Sequence, residues 1–422
     1  MKIWILQTGE PMPVDPGSPR PMRAMNLAAT MVARGHDVTI VTSAFYHQEK
    51  THRSRVYQEQ QVADRLRVRL IPSMGYERNI GPGRLLDHAQ LALNLRQHLA
   101  SQPRSATPDV AFIGFPPIEV AAVMTRWLAK RGVPVVLDIK DQWPHLFVEA
   151  FPKAAQPLAK VAFWPYFVLA KTAFQQASAL CSMSDAFLDW ACAVAGRERS
   201  ERDIVAPLTA PPPQVAGPEL ARARQWWLER GVDLSSRRRV AFVGSLSQAF
   251  DFAPVAEVAR QFEKTGFDCQ FVIGGDGPER DSVSRLFAGC KAAVMPGWID
   301  LPKIVALMQG SSAVLAPYRT TDNFVANIPN KVVDGLAYGL PVITSLHGIV
   351  RRLLIDAGAG FYAPDSQLLA SALHTVVEDH TTCAAVSAQA RALYESRFAF
   401  ESVYGDLAAR LEALSAVRGA GD

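Results

Sequence analysis

The sequence is poor in cysteine, and its few cysteines form no pattern that a metal site or a disulfide scaffold would need. Five cysteines occur among 422 residues. None belongs to a Cys-x-x-Cys pair or has a histidine at a spacing suited to zinc. We therefore expect neither a metal site nor a disulfide framework, and this cysteine usage favours a reducing compartment.

Long apolar runs are also absent. No stretch reaches the roughly 20 consecutive apolar residues that a membrane-spanning helix requires. The first residues, MKIWILQTG, lead directly into a strand pattern and not into a signal peptide. The sequence thus predicts a cytoplasmic protein that is neither secreted nor transmembrane.

Charge of one sign does not dominate either. The formal net charge is +4, with 24 Lys and Arg against 18 Asp and Glu in residues 1–205 and 20 against 22 in the remainder. No nucleic-acid-binding motif accompanies the basic excess of the first half, so we expect no nucleic-acid partner. An apolar fraction of 49% and a charged fraction of 20% are ordinary for a globular protein.

What the sequence does contain is a repeated alternation of strand-like and helix-like segments. Residues 2–8 and 38–42 have strand patterns, and a helix-like stretch at 22–33 lies between them. This order is the βαβ unit of a parallel sheet. The alternation continues along the chain, which predicts an α/β fold.

A proline-rich run, PLTAPPPQVAGP at 207–218, interrupts the alternation, and a second α/β series follows it. Such a run is typical of a linker or hinge. Because the chain exceeds the roughly 250–300 residues at which single cores stop growing, we predict two domains, residues 1–205 and 206–395. Residues 388–417 have a helical pattern.

The segment APYRTTDNFVANIPNKVVDGLAYGLPVITS at 316–345 is the most informative for chemistry. A strand is predicted to end at its start, and a helix to begin at Asn330 as N-cap and to stop at Gly339. The free amides of the helix start, with Lys331, would hold an anion such as a diphosphate. Asp334, one turn further, could accept hydrogen bonds from a ribose diol or be a solvated helix acid.

This segment resembles the donor-binding signature of the family 4 retaining glycosyltransferases. Residues 334–342, DGLAYGLPV, follow the second half of the family's Glu-x7-Glu motif, and the preceding Asn330-Lys331 resembles the bacterial O-antigen, capsule and exopolysaccharide branch. The first acid of the motif would fall at Ala326, where none is present. The acidic Asp322 is nearby but out of register.

The resemblance implies further donor-binding residues. Gly244 and Ser245 follow a strand and match the turn that brings backbone amides against the diphosphate. Gly275, in GGDGPE, matches the family's Gly-x-Gly-Pro turn, and Trp298 lies in the segment that brackets the base. The Arg or Lys that commonly follows the first turn is missing, and Arg319 or Lys331 would replace it.

In the first domain, candidate residues lie where open α/β sheets place ligands, at the carboxyl ends of strands. Gly17 and Ser18 occupy the first loop, where family members often have two glycines near the sugar. DIKDQWP at 138–144 resembles the Asp-x-Trp-Pro run of the same branch. It makes Asp141 and His145 the candidate catalytic groups on the acceptor side, the alternatives being a turn or cap acid and a structural histidine.

Residues 158–170, LAKVAFWPYFVLA, mix aromatic side chains with flanking lysines. This composition suits the boundary between water and lipid. The alternative is a buried helix with core aromatics such as Trp164 and Phe167. The first interpretation predicts peripheral contact with the inner leaflet of a membrane.

The resemblance implies a GT-B fold, with two Rossmann-like domains facing each other across a cleft and a C-terminal helix, residues 396–422, crossing back to the first domain. It further implies a retaining hexosyltransferase that transfers sugar from a nucleoside diphosphate sugar, with no other cofactor, to a glycan or lipid-linked acceptor in surface polysaccharide synthesis. The missing Asp-x-Asp predicts metal independence. A nucleotide-sugar epimerase of the same fold and a non-catalytic nucleotide-sugar-binding subunit remain alternatives.

Overall fold

The structure is a computed structural model that describes residues 1–17, 20–79, 81–211, 213–236 and 238–419. The chain forms two compact units. Unit 1 comprises Met1–Ala210 with Glu401–Asp422, and unit 2 comprises Pro211–Phe400. Both divisions differ by a few residues from the sequence-based boundaries, and the first lies inside the proline-rich run.

Unit 1 is built on an eight-stranded sheet of order β10-β9-β8-β7-β1-β2-β6-β5, with a separate hairpin of β3 and β4. The pairing is parallel except between β5 and β6. The strands are β1 (Lys2–Leu6), β2 (Asp37–Ser43), β3 (Phe45–Tyr46), β4 (Thr51–His52), β5 (Gln58–Ala63), β6 (Leu66–Ile71), β7 (Val110–Phe115), β8 (Val135–Ile139), β9 (Ala179–Ser182) and β10 (Ile204–Val205).

The central strands of unit 1 are continuous apolar runs because helices cover both faces of the sheet. All residues of β7, VAFIGF, are buried. The helices are α1 (Arg23–Ala33), α2 (Pro82–Ala100), α3 (Ile118–Ala129), α4 (His145–Glu149), α5 (Gln156–Ala162), α6 (Trp164–Gln176) and α7 (Asp185–Ala195), with 3₁₀ turns at Arg104–Ala106 and Lys153–Ala155. Their ends follow local rules: the Ser184 hydroxyl caps α7, and Gly196 ends it in the left-handed conformation.

Unit 2 contains a six-stranded sheet of order β13-β12-β11-β14-β15-β16, in which every pair is parallel. Its strands are β11 (Arg239–Val243), β12 (Gln270–Gly274), β13 (Ala293–Gly297), β14 (Ala313–Ala316), β15 (Val342–Thr344) and β16 (Gly360–Tyr362). The strand order reverses between β11 and β14. Open α/β sheets bind ligands outside the carboxyl ends of the strands at this switch point.

The helices of unit 2 are α8 (Gly217–Leu228), α9 (Ala253–Thr265), α10 (Arg280–Leu286), α11 (Leu301–Gln309), α12 (Asp322–Val325), α13 (Asn330–Ala337), α14 (Ile349–Asp356), α15 (Ser366–Glu378) and α16 (His380–Arg397). A main core joins the sheet to α9, α13, α15 and α16. A second cluster centres on the buried Trp227 of α8, whose indole Nε1 donates to the Lys303 carbonyl at 2.9 Å.

The last helix, α17 (Phe400–Gly419), packs on unit 1, as the sequence predicts. Its Tyr404 and Leu411 are buried. On its exposed side the Arg34 guanidinium donates to both Glu412 oxygens, at 2.8 and 2.6 Å. These hydrogen bonds are the main reason that the pKa of Glu412 is lowered to about 2. The helical pattern at 388–417 is divided in the structure, because α16 ends before Phe398.

Candidate functional site

The carboxyl ends of β11, β12 and β13 each carry a glycine, and backbone hydrogen bonds tie these turns together. The Gly244 amide donates to the Gly274 carbonyl at 3.0 Å, and the Gly275 amide donates to the Gly297 carbonyl at 2.8 Å. Gly275 has φ 144°, and a Cβ added there would lie 1.9 Å from the Gly244 carbonyl oxygen. No side chain fits at Gly275, so bare backbone faces the switch point.

The rest of the GGDGPE turn packs closely on the loop that follows Gly244. The Leu246 amide donates to the Asp276 carbonyl at 2.9 Å. A Cβ at Gly277, which has φ 153°, would lie 2.4 Å from the Leu246 carbonyl oxygen. Two loops therefore approach at van der Waals distance, which explains glycine at both Gly275 and Gly277.

Lys331 lies directly beneath the Gly244 turn. Its Nζ donates to the Val243 carbonyl at 2.6 Å and lies 4.5 Å from the Phe242 ring centroid and 5.1 Å from that of Phe250. A Cβ at Gly244 would come within 1.7 Å of this Nζ. Glycine at 244 thus makes room for the lysine, and the two residues form one local unit.

Burial lowers the pKa of Lys331 to about 8, and the charge of Asp334 opposes this shift. The lysine thus remains mainly protonated at neutral pH. The ammonium group has lost much of its hydration. Its charge is stabilised by two aromatic ring faces and by one carbonyl oxygen. An anion above the Gly244 turn would be attracted to this ammonium group with little screening by water.

The start of α13 differs by one residue from the sequence-based prediction. Pro329 is the N-cap and Asn330 is the first helical residue, so the prediction of Asn330 as N-cap is wrong. A proline before the helix fixes extended backbone there. The Val332 amide donates to the Pro329 carbonyl at 3.0 Å. No side chain caps the helix, so an anion could accept from the Asn330 and Lys331 amides. Gly339 follows the last turn with φ 65°, as predicted.

Asp334 is partly buried one turn into α13. Its charge raises the pKa of the buried Tyr318, although desolvation of that phenol is the larger cause. The Tyr318 ring lies 4.6 Å from Phe250 and 4.9 Å from Phe324, centroid to centroid. Asp334 therefore lies near enough to Lys331 to oppose the fall of its pKa, and its role in binding a donor stays a prediction.

The remaining donor candidates are more exposed. Trp298 follows Gly297 at the end of β13 and is 72% exposed, and Ser245 is exposed beside Gly244. Arg319 donates from Nε to the Phe250 carbonyl at 3.2 Å and lies 3.8 Å from an Asp251 oxygen. Arg319 therefore joins the loops after β14 and β11, and Lys331 is the cation next to the glycine turn.

Position 326 holds no acid, and the backbone just before it packs closely against Gly348. Ala326 follows the short helix α12, and a Cβ at Gly348 would lie 2.4 Å from the Val325 carbonyl oxygen. The loop after β15 therefore packs on the chain just before Ala326. Among the residues that the structure describes, no group of three or more His, Cys, Asp and Glu side chains is arranged to hold a metal ion.

In unit 1, Gly17 has φ 79° and open space around its Cα, whereas Ser18 lies outside the described residues. The connection from β1 to α1, which contains Gly17, also contributes Glu10 to a buried ionic network that the sequence patterns did not reveal. Lys140 pairs with Glu10, and the Asp138 carboxylate lies 3.7 Å from Lys140 and 3.4 Å from the Arg23 guanidinium. These partners come from the loop after β1, from α1 and from the carboxyl end of β8, so only the fold brings them together.

Asp141 follows this network at the end of β8. It is partly buried and has no hydrogen-bond partner among the described residues. Desolvation raises the pKa of its carboxyl group, and the charges of Arg84 and Lys140 oppose that shift. A carboxylate that lacks internal partners and has a raised pKa is suited to accept a proton.

His145, the second catalytic candidate, begins α4 within an aromatic cluster. Its ring packs edge-on against Phe167 at 5.0 Å and Trp190 at 5.4 Å. Its Nδ1 is buried without a hydrogen-bond partner. Burial, followed by the charge of Lys160, lowers the pKa of the imidazole. These contacts favour the structural alternative for His145.

A cation-rich cluster near Asp141 also escaped sequence-based prediction. It is composed of residues from the β3–β4 hairpin, the loop before α2 and the first turns of α2: His47, Lys50, Tyr76, Arg84 and His88. The Arg84 guanidinium lies 4.9 Å from the Trp143 ring centroid. No contiguous motif contains these residues, and the resemblance is weakest in this region.

The helices α5 and α6 expose large apolar side chains. Leu158 is 75% exposed, Val161 71% and Trp164 64%. Phe167, in contrast, is partly buried and packs on His145. Among the described residues, no helix has both the length and the apolar character needed to cross a bilayer.

Family models match both units. The model for glycosyl transferases group 1 matches residues 237–379, and that for the glycosyl transferase 4-like domain matches residues 22–207. WcaL from Salmonella typhimurium, a protein named as a glycosyltransferase of colanic acid biosynthesis, is 26% identical over 165 residues, which are 37% of this chain and 41% of that protein. The chain thus matches about two fifths of the length of this relative.

Solved structures show the same fold. Sucrose-phosphate synthase from Thermosynechococcus elongatus superimposes with a TM-score of 0.68 at 12% identity, covering 99% of each chain. Anabaena Alr3699/HepE, in complex with UDP and glucose, gives a TM-score of 0.64 at 17% identity, covering 98% of this chain and 100% of that one. The predicted fold class, GT-B with Rossmann-like domains, is thereby confirmed. With both of its units matched by glycosyltransferase models, the chain belongs to the family 4 glycosyltransferases of GT-B fold.

Proposed function

We propose that the protein transfers a sugar, with retention of configuration, from a nucleoside diphosphate sugar to a glycan or lipid-linked acceptor in surface polysaccharide synthesis. The observation that carries this proposal is the juxtaposition of the Gly244 turn, Lys331 and the uncapped start of α13. The HepE structure contains UDP and glucose, and WcaL is named for a polysaccharide pathway. Both support the proposed substrate class.

The donor site suits a departing diphosphate. Negative charge grows on the leaving phosphate during transfer, and groups already oriented towards it stabilise the transition state more than the ground state. The Ser245 amide, the Asn330 and Lys331 amides at the start of α13 and the Lys331 ammonium group would supply such groups at the carboxyl ends of the strands. We propose that they neutralise the leaving group without a metal ion, and that Asp334 binds the ribose.

On the acceptor side, we assign Asp141 to positioning or deprotonating the incoming hydroxyl. Its partly exposed carboxylate has no internal hydrogen bond, and desolvation raises its pKa. In a front-face displacement the leaving phosphate helps to take the acceptor proton, so this carboxylate would share that task. His145, packed between aromatic rings, is the next candidate.

We also propose that α5 and α6 contact the inner leaflet of a membrane. Leu158, Val161 and Trp164 are among the most exposed large apolar residues of unit 1. The stretch 150–184 contains three lysines and no acidic residue. Exposed aromatic and aliphatic side chains flanked by lysine are typical of helices that lie in the interface of anionic lipids, which would suit a lipid-linked acceptor.

One observation favours a second candidate, a non-catalytic nucleotide-sugar-binding subunit. Ala326 replaces the acid that family members use to contact the transferred sugar. Such a subunit would bind donor without turnover. A nucleotide-sugar epimerase would instead convert donor without acceptor.

A donor screen followed by incubation separates these functions. We expect one nucleoside diphosphate sugar to raise the melting temperature and then to release nucleoside diphosphate only when membranes or lipid extract supply an acceptor. Conversion of the sugar without acceptor would indicate the epimerase. Stabilisation with no conversion under any acceptor condition would indicate the binding subunit and contradict our proposal.

A further inference from the structure

The cation-rich cluster of unit 1 surrounds one tyrosine ring. The Lys50 Nζ lies 4.5 Å from the Tyr76 ring centroid, and the Arg84 guanidinium carbon lies 5.7 Å from it. Lys50 also donates to the Asn79 side-chain oxygen at 2.5 Å, and Arg84 donates to the Asn79 carbonyl at 2.9 Å. Two cations, one from the β3–β4 hairpin and one from the first turn of α2, are thus held over the same ring.

Neither cation has a carboxylate within ion-pair distance among the described residues. Glu49, next to Lys50 in sequence, is exposed. Asp87, the acid nearest Arg84 in sequence, is buried and accepts the Gly75 amide at 2.7 Å. Other partly buried arginines of unit 1, such as Arg53 and Arg197, do form ion pairs with carboxylates. The Tyr76 ring and neutral oxygens of Asn79 therefore offset the two charges in place of a carboxylate, and burial together with Arg84 lowers the pKa of Lys50.

Polar atoms of the cluster also lack partners. The Nε of Arg84 and the Nδ1 of His88 are buried with no hydrogen-bond partner, and His88 is only 4% exposed. Unpaired buried polar atoms cost free energy unless a ligand or water meets them. The unpaired Arg84 Nε belongs to one of two cations that lack a carboxylate partner, and together these features favour an anion as that partner.

The cluster is connected to the exposed helices by a chain of aromatic contacts. Arg84 lies over Trp143 at 4.9 Å, Trp143 packs on Phe147 at 4.6 Å, and Phe147 packs on Phe163 at 5.3 Å. Trp164, the exposed aromatic of the proposed membrane contact, follows Phe163 directly. A ligand group bound by Arg84 would therefore be a few side chains away from lipid.

We infer that Lys50 and Arg84 form a binding site for a phosphate or diphosphate group of the acceptor. Arginine's planar fork matches phosphate oxygens, and lysine adds a point charge. The inference rests on the proposed transferase function and deepens it, because it gives the acceptor a chemical class. The phosphate could belong to an isoprenoid lipid carrier or to a soluble sugar phosphate.

The test compares binding of a short-chain prenyl diphosphate and of inorganic diphosphate by calorimetry, with saturating nucleotide present to occupy the donor site. Hydrogen bonds to charged groups contribute ~1.5–3 kcal/mol, so R84Q should weaken binding at least about 10-fold and K50Q/R84Q further. Tighter binding of the prenyl compound would assign a lipid carrier, and equal binding would assign a soluble phosphate.

One matched double variant controls for unspecific effects of charge. Arg96 is exposed on the same helix α2, Lys130 is exposed after α3, and R96Q/K130Q removes the same charge. This control should bind like the parent. Equal loss in both double variants, or full affinity of K50Q/R84Q, would overturn the site. Nucleotide affinity, measured without diphosphate, tests the donor site of unit 2 separately. Failure of the transferase proposal can therefore be distinguished from failure of the Lys50–Arg84 site.

Discussion

The two units differ in the chemical groups that they offer to a ligand. Unit 2 offers mainly backbone, with glycines at 244 and 275 that no side chain can replace and one buried cation, Lys331. Unit 1 offers side chains that are distant in sequence, namely Asp141 after β8, Lys50 in the β3–β4 hairpin and Arg84 in α2. Backbone amides and a cation suit a diphosphate, which all nucleoside diphosphate sugars share, whereas side chains suit an acceptor that differs between relatives.

The contrast predicts that the largest kinetic effect comes from unit 1. D141N keeps the shape of Asp141 and removes its charge, and we expect turnover to fall about 10² to 10⁴-fold because a positioned proton acceptor contributes that much. Donor affinity and melting temperature should hold. D64N, at a fully exposed side chain, is the control. A D141N enzyme that transfers sugar at the parental rate would move the assignment to His145.

In unit 2 we expect Lys331 to act on the diphosphate alone. K331M should weaken binding of nucleoside diphosphate by ~1.5–3 kcal/mol, about 10- to 100-fold, and leave nucleoside binding unchanged. K264M, at an exposed lysine of α9, should bind like the parent. Equal losses for nucleoside and nucleoside diphosphate in K331M would show that the site had collapsed.

The same lysine predicts a pH dependence of stability. Its pKa of about 8 in the folded protein lies below the ordinary 10.5, so the unfolded state binds more protons between these values. The free energy of unfolding of the parent should therefore rise over that interval, and the corresponding rise should be smaller in K331M. Denaturant titrations of both proteins from pH 7.5 to 10.5 measure it; parallel curves would mean that Lys331 is not buried as a cation.

A variant at Asp334 should show whether this residue recognises the nucleoside or the diphosphate. D334A should weaken binding of nucleoside and nucleotide alike, by ~1.5–3 kcal/mol for a charged hydrogen bond. If Asp334 needs both ribose hydroxyls to bind the sugar, a 2′-deoxynucleotide should bind with the same affinity to D334A and to the parent. A loss confined to diphosphate ligands would assign Asp334 to supporting Lys331 instead.

The smallest expected effect concerns the membrane. W164S should weaken flotation with anionic liposomes about fivefold, because partial burial of one aromatic side chain contributes on the order of 1 kcal/mol. L158S/V161S/W164S should weaken it further without lowering the melting temperature, since all three side chains are exposed. L93S, at a 59% exposed leucine of α2, is the control. Loss of folding in the triple variant would place these side chains in the core.

The α/β alternation and the proline-rich run between the units could be predicted from the sequence because their signals are contiguous. The donor-site prediction likewise depends on contiguous segments. Gly244, Lys331 and Asp334 belong to two short motifs. The start of α13 was misplaced by one residue, since Asn330 is a good cap by type and Pro329 takes the cap position. Arg84, Lys50 and the Glu10–Lys140 pair could not be predicted, because only the fold brings such separated side chains together.

Acceptor-dependent release of nucleoside diphosphate, in parent and K331M, tests the central claim most directly. With the donor identified by stabilisation, with EDTA present and with lipid extract as acceptor source, the parent should release nucleoside diphosphate and form a product whose new linkage keeps the donor's anomeric configuration by NMR. K331M should be slower by the factor by which it loses diphosphate binding. Release restored only by magnesium or manganese, an inverted linkage, or a K331M enzyme as fast as the parent would contradict a metal-independent, retaining transferase built on Lys331.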